Sequence, residues 1–375
     1  MVFEEVLNPS SPLFWLTILI ILGAVSTFIA RSFKTYVKFI YPNAKFEAIG
    51  NPFIQEKELT ALIDTPSLEA FKDRLNTLRD YQVEGQTAAA IQNSLDQNYL
   101  RTLSMMQQDS SKKLRGFYDL YLQKIDFYLI KNEIKRILLG NKNNNPSFQS
   151  ALIPQTKHIL EQLQNASKES LPSLLISLGF KDEVVMEISK DQPDLQTLDV
   201  LFDKQYVDSL MELHVPHKCE QAHYDFIKNM IDLFTIKHLL RAKQLALPPD
   251  RCKTFFLGDG KQIARWRFEQ LADASDVPEA ITALEGTSYF PALSAKLEQY
   301  KKEKSVQVFE SSVESAFLGR VREISLHNYL TMGPSLRFLV SKEFEIKNLK
   351  VIVKGIAENI STEIIKNNLV KEVTG

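Results

Sequence analysis

Hydrophobic and polar residues alternate along most of this chain with the period of an α-helix. Apolar positions recur at i, i+3 or i+4 and i+7, as in Ile130, Ile134 and Ile137, in Ile236, Leu239 and Leu240, and in Ile346, Leu349 and Val353. Positions so spaced share one helix face, so each stretch predicts an amphipathic helix with a buried stripe and a polar back. Sustained period-2 runs of β-branched residues, which a sheet would need, do not occur. Prolines fall at the expected junctions between helices, among them Pro42, Pro66, Pro146, Pro172, Pro216, Pro248, Pro278 and Pro334. The expectation is an all-α chain. The run Asn141 to Pro146 (NKNNNP) is the best linker candidate, and Pro248-Pro249-Asp250 marks a second break.

One stretch has no polar face. Pro12 to Ala30 (PLFWLTILIILGAVSTFIA) is almost unbroken apolar sequence, and no charge occurs between Glu5 and Arg31. As a helix it would reach about 28 Å, close to the thickness of a bilayer's hydrocarbon core. Trp15 near one end and Arg31, Lys34 and Lys38 past the other suit the two interfaces, and Leu19 and Leu22 lie mid-span. The excess of basic residues after the span puts the rest of the chain in the cytoplasm, so the expected location is the cytoplasmic face of the cell membrane with a single-pass N-terminal anchor. The rival is a cleaved signal peptide, for which Ala24-Val25-Ser26 has the right form. The acidic Glu4 and Glu5 ahead of the run argue against it.

Beyond the anchor the sequence echoes itself. Ile125-Asp126-Phe127-Tyr128-Leu129-Ile130-Lys131-Asn132 is matched by Ile231-Asp232-Leu233-Phe234-Thr235-Ile236-Lys237-His238, and again by Glu343-Phe344-Glu345-Ile346-Lys347-Asn348. A second echo pairs Leu95-Asp96-Gln97-Asn98-Tyr99-Leu100 with Phe202-Asp203-Lys204-Gln205-Tyr206-Val207, and a third pairs Ala61 to Thr65 with Ala283 to Thr287. Their common order implies three copies of one helical unit. The expected division is an anchor at 1–40 and helical repeats at 41–145, 146–250 and 251–375. Each Ile-Lys pair is expected to bury its Ile and leave Lys131, Lys237 or Lys347 solvated.

Composition narrows the function. In 375 residues, 45 Lys+Arg against 46 Asp+Glu give a net charge of −1, so no basic field spreads over the molecule and nucleic acid is not an expected partner. Only 13 glycines are present, too few for Gly-rich phosphate loops or regular hairpins, and two cysteines, Cys219 and Cys252, exclude a disulfide scaffold.

Candidate chemistry is sparse. His214, His217, Cys219 and His223 crowd ten residues with donors that suit zinc, but Pro216 interrupts the spacing and a polar loop is the plainer reading. Gly258-Asp259-Gly260-Lys261 lacks the rest of a P-loop, since Gln262 follows the Lys, and reads as a turn between helices. The mixed-charge run Lys296 to Lys304 reads as a solvated helix face. No catalytic constellation emerges, and no small-molecule substrate, cofactor or metal is expected.

The C-terminal stretch Gly333 to Gly355 (GPSLRFLVSKEFEIKNLKVIVKG) resembles the C subunit of archaeal A-type ATP synthases, the relative of the d subunit in V-type ATPases. That family's terminal helix reads roughly K-E-x-E-I-x-N-L-R-x-I-x-x-G-K, and the chain departs from it where Ile356 replaces the Lys after the Gly. Thr287 to Leu293 is similar to the family's T-x-Y-x-P-L segment, Ile231 to Ala242 to its I-D-x-x-N-L-x-x-L-x-R helix, and Tyr41 to Lys45, more weakly, to its opening Y-x-x-A-R. Gly258-Asp259-Gly260 falls at a family turn. The likeness spans residues 41 to 372 and leaves 1–40 as an addition.

The resemblance implies three related helical domains around a pseudo-threefold axis, forming a funnel, in a non-catalytic rotor subunit. Such a rotor part couples the central shaft to the membrane proteolipid ring during ATP synthesis or hydrolysis with ion transport, so shaft, ring and lipid are the expected partners. Lys342, Glu343, Glu345 and Lys347 are the expected socket wall. The competing readings are a membrane-tethered metal-dependent hydrolase centred on His214, His217, Cys219 and His223, and an unrelated membrane-anchored helical scaffold.

Overall fold

The computed structural model describes residues 9–50, 53–78, 80–140 and 153–372. Among the described residues all regular structure is helical, as the apolar periodicity predicts. The linker candidate Asn141 to Pro146 and the acidic Glu4 and Glu5 lie outside them.

Seven helices carry the architecture: α1 (Pro12–Ile49), α2 (Ala88–Asp109), α3 (Arg115–Leu138), α4 (Leu195–Glu212), α5 (Glu220–Gln244), α6 (Gln307–His327) and α7 (Gly333–Ala357). Six of these form three consecutive pairs, and the second helix of each pair carries one Ile-Lys echo. The pairs close on themselves in space: α2 packs on α3, α3 on α4, α4 on α5, α5 on α6, α6 on α7, and α7 back on α2.

Short helices fill the outside of this circuit, each group lying on the pair before it. Helices Pro154–Gln164, Leu171–Ser177 and Asp182–Ile188 form an apolar cluster with Ile130, Ile134 and Ile137 of α3 and with Leu198 and Phe202 of α4. Helices Arg265–Asp273 and Val277–Thr282 pack on α5, and helices Glu56–Ile63 and Leu68–Asn76 pack on α7. The first unit therefore leans on the last, which closes the circle.

One helix position fastens each of these seams. Asp126 of α3 accepts a hydrogen bond from the Ile153 N–H at 2.8 Å. Asp232 of α5 accepts from Gln262 and Ile263 at 2.9 and 3.0 Å, which folds the Gly258–Lys261 segment into the turn its sequence suggests. The equivalent residue of α7 is Lys342, which donates to the Tyr81 hydroxyl at 2.7 Å, while that hydroxyl donates to Glu345.

The turns inside the three pairs meet at one end of the body. A methyl group added to Gly116, just past the first turn, would lie 3.0 Å from Leu213 of the second. The Cys219 thiol of the second lies against the Met332 backbone of the third. Helix α1 is rooted at this end: Asn43 donates to the carbonyls of Tyr329 and Thr331 at 2.8 and 2.9 Å, Lys45 pairs with Asp109 at 2.5 Å, and Phe46 stacks on Phe338 with centroids 5.0 Å apart.

Helix α1 corrects one expectation. Pro42 does not break it but lies inside a single 38-residue helix. A proline removes one intrahelical bond, and the buried Phe39 and Phe46 on either side hold the helix across that gap. The start follows the usual pattern, with the Ser11 hydroxyl accepting from the Leu13 N–H at 3.2 Å and Pro12 in the first turn.

Candidate functional site

A cavity of about 430 Å³ opens within the circuit, walled by α2, α3, α4, α5 and α7. Its residues lie along each helix some 10 to 25 Å from the turn end, at the rise of about 1.5 Å per residue. The cavity thus sits about midway along the helices, beyond the root of α1. Phe127, Tyr128, Phe234 and Ile346 make its apolar surface, and Tyr128 is 64% exposed at the rim.

A girdle of ion pairs surrounds this surface. Lys131 bonds Asp203 at 3.0 Å and Asp199 at 3.3 Å, Lys350 bonds Asp96 at 2.5 Å, and Lys124 bonds Glu343 at 2.7 Å. Lys237 and Lys347 share Glu314, each at 2.5 Å. These pairs follow the repeat. The acids Asp96, Asp203 and Glu314 occupy equivalent positions on α2, α4 and α6, each three residues before an aromatic, Tyr99, Tyr206 or Phe317. Each takes a lysine from the preceding pair, and the closing seam uses Lys350, one turn beyond Lys347.

Burial and these partners set the charge states. Burial opposes ionisation of Asp203, but Lys131 and His238, whose Nε2 is 2.9 Å away, overcome it and hold the carboxyl far below its ordinary range. The same contest leaves Glu314 below its ordinary range, because two lysines outweigh burial. Asp96 goes the other way, since burial outweighs Lys350 and raises it. The hydroxyls of Tyr99 and Tyr206 are buried without a hydrogen-bond partner in the walls, and burial together with Glu343 raises both phenols well above their usual value.

Two expectations change here. Lys131 and Lys237 are largely buried and Lys347 is half exposed; each holds a carboxylate, because the polar back of one helix faces the acids of the next. Of the four residues expected in the socket wall, Glu343 and Lys347 line the cavity. Lys342 and Glu345, at 4% and 2% exposure, are buried in the closing seam, on the side of α7 that meets Tyr81. Sequence reasoning misses Asp96, Tyr99, Asp203 and Tyr206 as wall residues, although they are the paired positions of the second echo and that pairing was the available signal.

The His-Cys group lies in the turn between α4 and α5. His217 is exposed with Nδ1 3.4 Å from Glu220, Cys219 is buried with its thiol pushed up to about 12 by burial, and His223 is buried against Phe117 and pushed down to about 4 by burial. Among the described residues no three His, Cys, Asp or Glu side chains converge as a metal would require. Among the described residues the cavity combines an apolar surface with a girdle of paired charges.

An all-α body of successive helix pairs around a cavity defines a class of helical proteins. The particular family is the ATP synthase (C/AC39) subunit family, whose profile matches residues 42–368, and the chain belongs to it. It is 25% identical to the A-type ATP synthase C subunit of Methanosphaera stadtmanae, over 90% of this chain and 89% of that one. It is 27% identical to the C subunit of the A-type ATP synthase of Methanothermobacter thermautotrophicus, over 85% and 84%. It is 25% identical to that of Methanocaldococcus jannaschii, over 95% and 93%. The last match leaves out 5% of 375 residues, about 19, so it reaches into the first forty residues.

Proposed function

We propose that the chain is the central-stalk rotor subunit of an A-type ATP synthase, a non-catalytic part that transmits torque between a central shaft and the proteolipid ring in the membrane. The observation that carries this reading is the cavity: an apolar surface inside a girdle of ion pairs, midway along the helices and away from the root of α1. Torque transfer needs a socket that resists deformation, and cross-helix pairs between successive units brace it all round. Glu343 and Lys347 are the proposed shaft contacts, with Tyr128 at the rim.

In this reading the three helix pairs with their short helices are three related domains, at 41–145, 146–250 and 251–375, arranged as a funnel about a pseudo-threefold axis. Residues 1–40 are the anchor, with Pro12 to Ala30 spanning the bilayer and the body on the cytoplasmic face. The support for the anchor is a helix long and apolar enough to cross a membrane, with none of its most apolar window buried. Purification of the tagged full-length chain from native membranes tests the whole reading. Shaft and proteolipid subunits should come with it in fixed proportion. A chain that purifies alone, or with stoichiometric zinc lost on His217 and Cys219 substitution, contradicts it.

A further inference from the structure

We infer that the socket takes the shaft in a single orientation, with an acidic side chain of the shaft's foot on Lys347 of α7 and apolar side chains of the foot on Phe127, Tyr128 and Phe234 of α3 and α5. This rests on the shaft reading and adds to it the chemistry of the partner. The repeat breaks at the cavity. Counted from the isoleucine of each Ile-Lys pair, the residue three before is Phe127, Leu233 or Glu343, and the residue four after is Ile134, Leu240 or Lys350. Helices α3 and α5 thus carry apolar residues at both positions, and α7 carries charges at both. Glu343, Lys347 and Lys350 are spaced i, i+4 and i+7, so they share one face of α7, and all three line the cavity. Two before the isoleucine, α3 and α5 place Tyr128 and Phe234 on the cavity, whereas Phe344 of α7 is buried beside Phe317.

The charges of the girdle are also unequal. Among the described residues, Lys131 and Lys135 face two carboxylates, Asp199 and Asp203. Lys124 and Lys350 have one each, Glu343 and Asp96. Lys237 and Lys347 have Glu314 between them. One positive charge is therefore left over, and it falls on Lys347, whose side chain is 43% exposed against 18% for Lys237. A carboxylate of the foot placed there completes the count, and enclosing the pair removes water and strengthens it. The equivalent lysine of α3, Lys131, is already enclosed by two carboxylates and would repel a third. Against Phe234 of α5 the same carboxylate would lose water and gain no partner. Attraction at one wall and rejection at the other two select one orientation out of the three that the repeat alone would permit.

The test uses the assembled enzyme in native membranes. A carbodiimide joins an amine to a carboxylate in contact with it, as an amide with no spacer. The inference expects an amide between Lys347 and an acidic residue of a shaft subunit, absent in Lys347→Gln. That variant keeps the pair between Lys237 and Glu314, and it should lose the shaft on the order of tenfold faster in a salt wash. A thiol-to-amine cross-linker on Tyr128→Cys is read in parallel, since the native Cys219 and Cys252 are buried. It should capture one shaft position in the unaltered socket and further positions, a third of a turn away, once Lys347→Gln is added. Capture of the shaft from Tyr128→Cys with an amide from Lys347 to Glu314 alone, or with a captured position that Lys347→Gln leaves unchanged, overturns this inference and leaves the shaft reading standing. No capture of the shaft from Tyr128→Cys overturns both.

Discussion

The seams that join successive units differ from the one that closes the circle. Between the first and second units, and between the second and third, a buried aspartate of the Ile-Lys helix accepts backbone N–H groups some thirty residues downstream, as Asp126 and Asp232 do. At the equivalent position the closing seam uses side chains, Lys342 to Tyr81 and Tyr81 to Glu345, across more than 260 residues of sequence. A polar group buried with incomplete partners is expensive, and the Glu345 Oε2 has none. Burial accordingly pushes Glu345 up to about 7 and Lys342 down, both towards their neutral forms. Backbone partners stabilise Asp232 only in part, since burial still raises it to about 6. Repetition therefore fixes the framework, while closure is a separate problem solved with different chemistry.

The largest effect should come from charging the apolar stripe of α7 where it walls the cavity. Ile346→Asp should cost on the order of 4 kcal/mol, since the carboxylate would enter a buried apolar surface. Denaturant unfolding of the purified chain measures it, and a loss below about 1 kcal/mol would mean that α7 is phased differently.

Next come the fasteners themselves. Asp232→Ala should cost about 2 to 3 kcal/mol, because it strands the buried N–H groups of Gln262 and Ile263. Tyr81→Phe removes one hydroxyl and should cost about 1 to 2 kcal/mol. The order of the two, read from paired unfolding curves, checks that backbone anchoring is the stronger device.

The pH dependence separates the seams further. Glu345 carries more protons folded than unfolded, so its contribution is complete below its ordinary value of about 4.5 and is lost as pH rises to about 7. His223 works oppositely, gaining stability as pH rises from about 4 towards its ordinary 6.5. Glu345→Gln should therefore remove a fall in stability between pH 4.5 and 7 relative to the unaltered chain. Parallel profiles for the two would mean that Glu345 is ionised in the closed seam.

The smallest effect should be at Lys347, set against a second lysine of the repeat. Lys131, enclosed by Asp199 and Asp203, should cost about 2 kcal/mol as Gln. Lys347 is half exposed and shares Glu314 with Lys237, so Lys347→Gln should cost about 0.5 kcal/mol. Equal melting shifts would show that the sharing at Glu314 has no effect.

Much of this was legible in the sequence. Ile130, Ile236 and Ile346 mark three helices whose stripes are buried, and the unbroken run from Pro12 marks a helical stretch whose most apolar window has no buried residue. The Asp96/Asp203 echo held the cavity's acids in plain sight, but its third member, Glu314 before Phe317, differs enough to hide the pattern. The fates of Lys342 and Glu345 were not legible, because a charge on a helix looks solvated until its distant partner is known, and Tyr81 lies in a segment without any echo. Pro42 misled for a related reason: local rules end a helix there, and packing on both sides carries it through.

The central claim is that the cavity grips the shaft. In membranes holding the assembled enzyme, a thiol-to-amine cross-linker on Tyr128→Cys should capture a central-shaft subunit, while the same reagent on Leu330→Cys should capture none. Capture of the shaft from Leu330 and not from Tyr128, or from neither, would contradict the account.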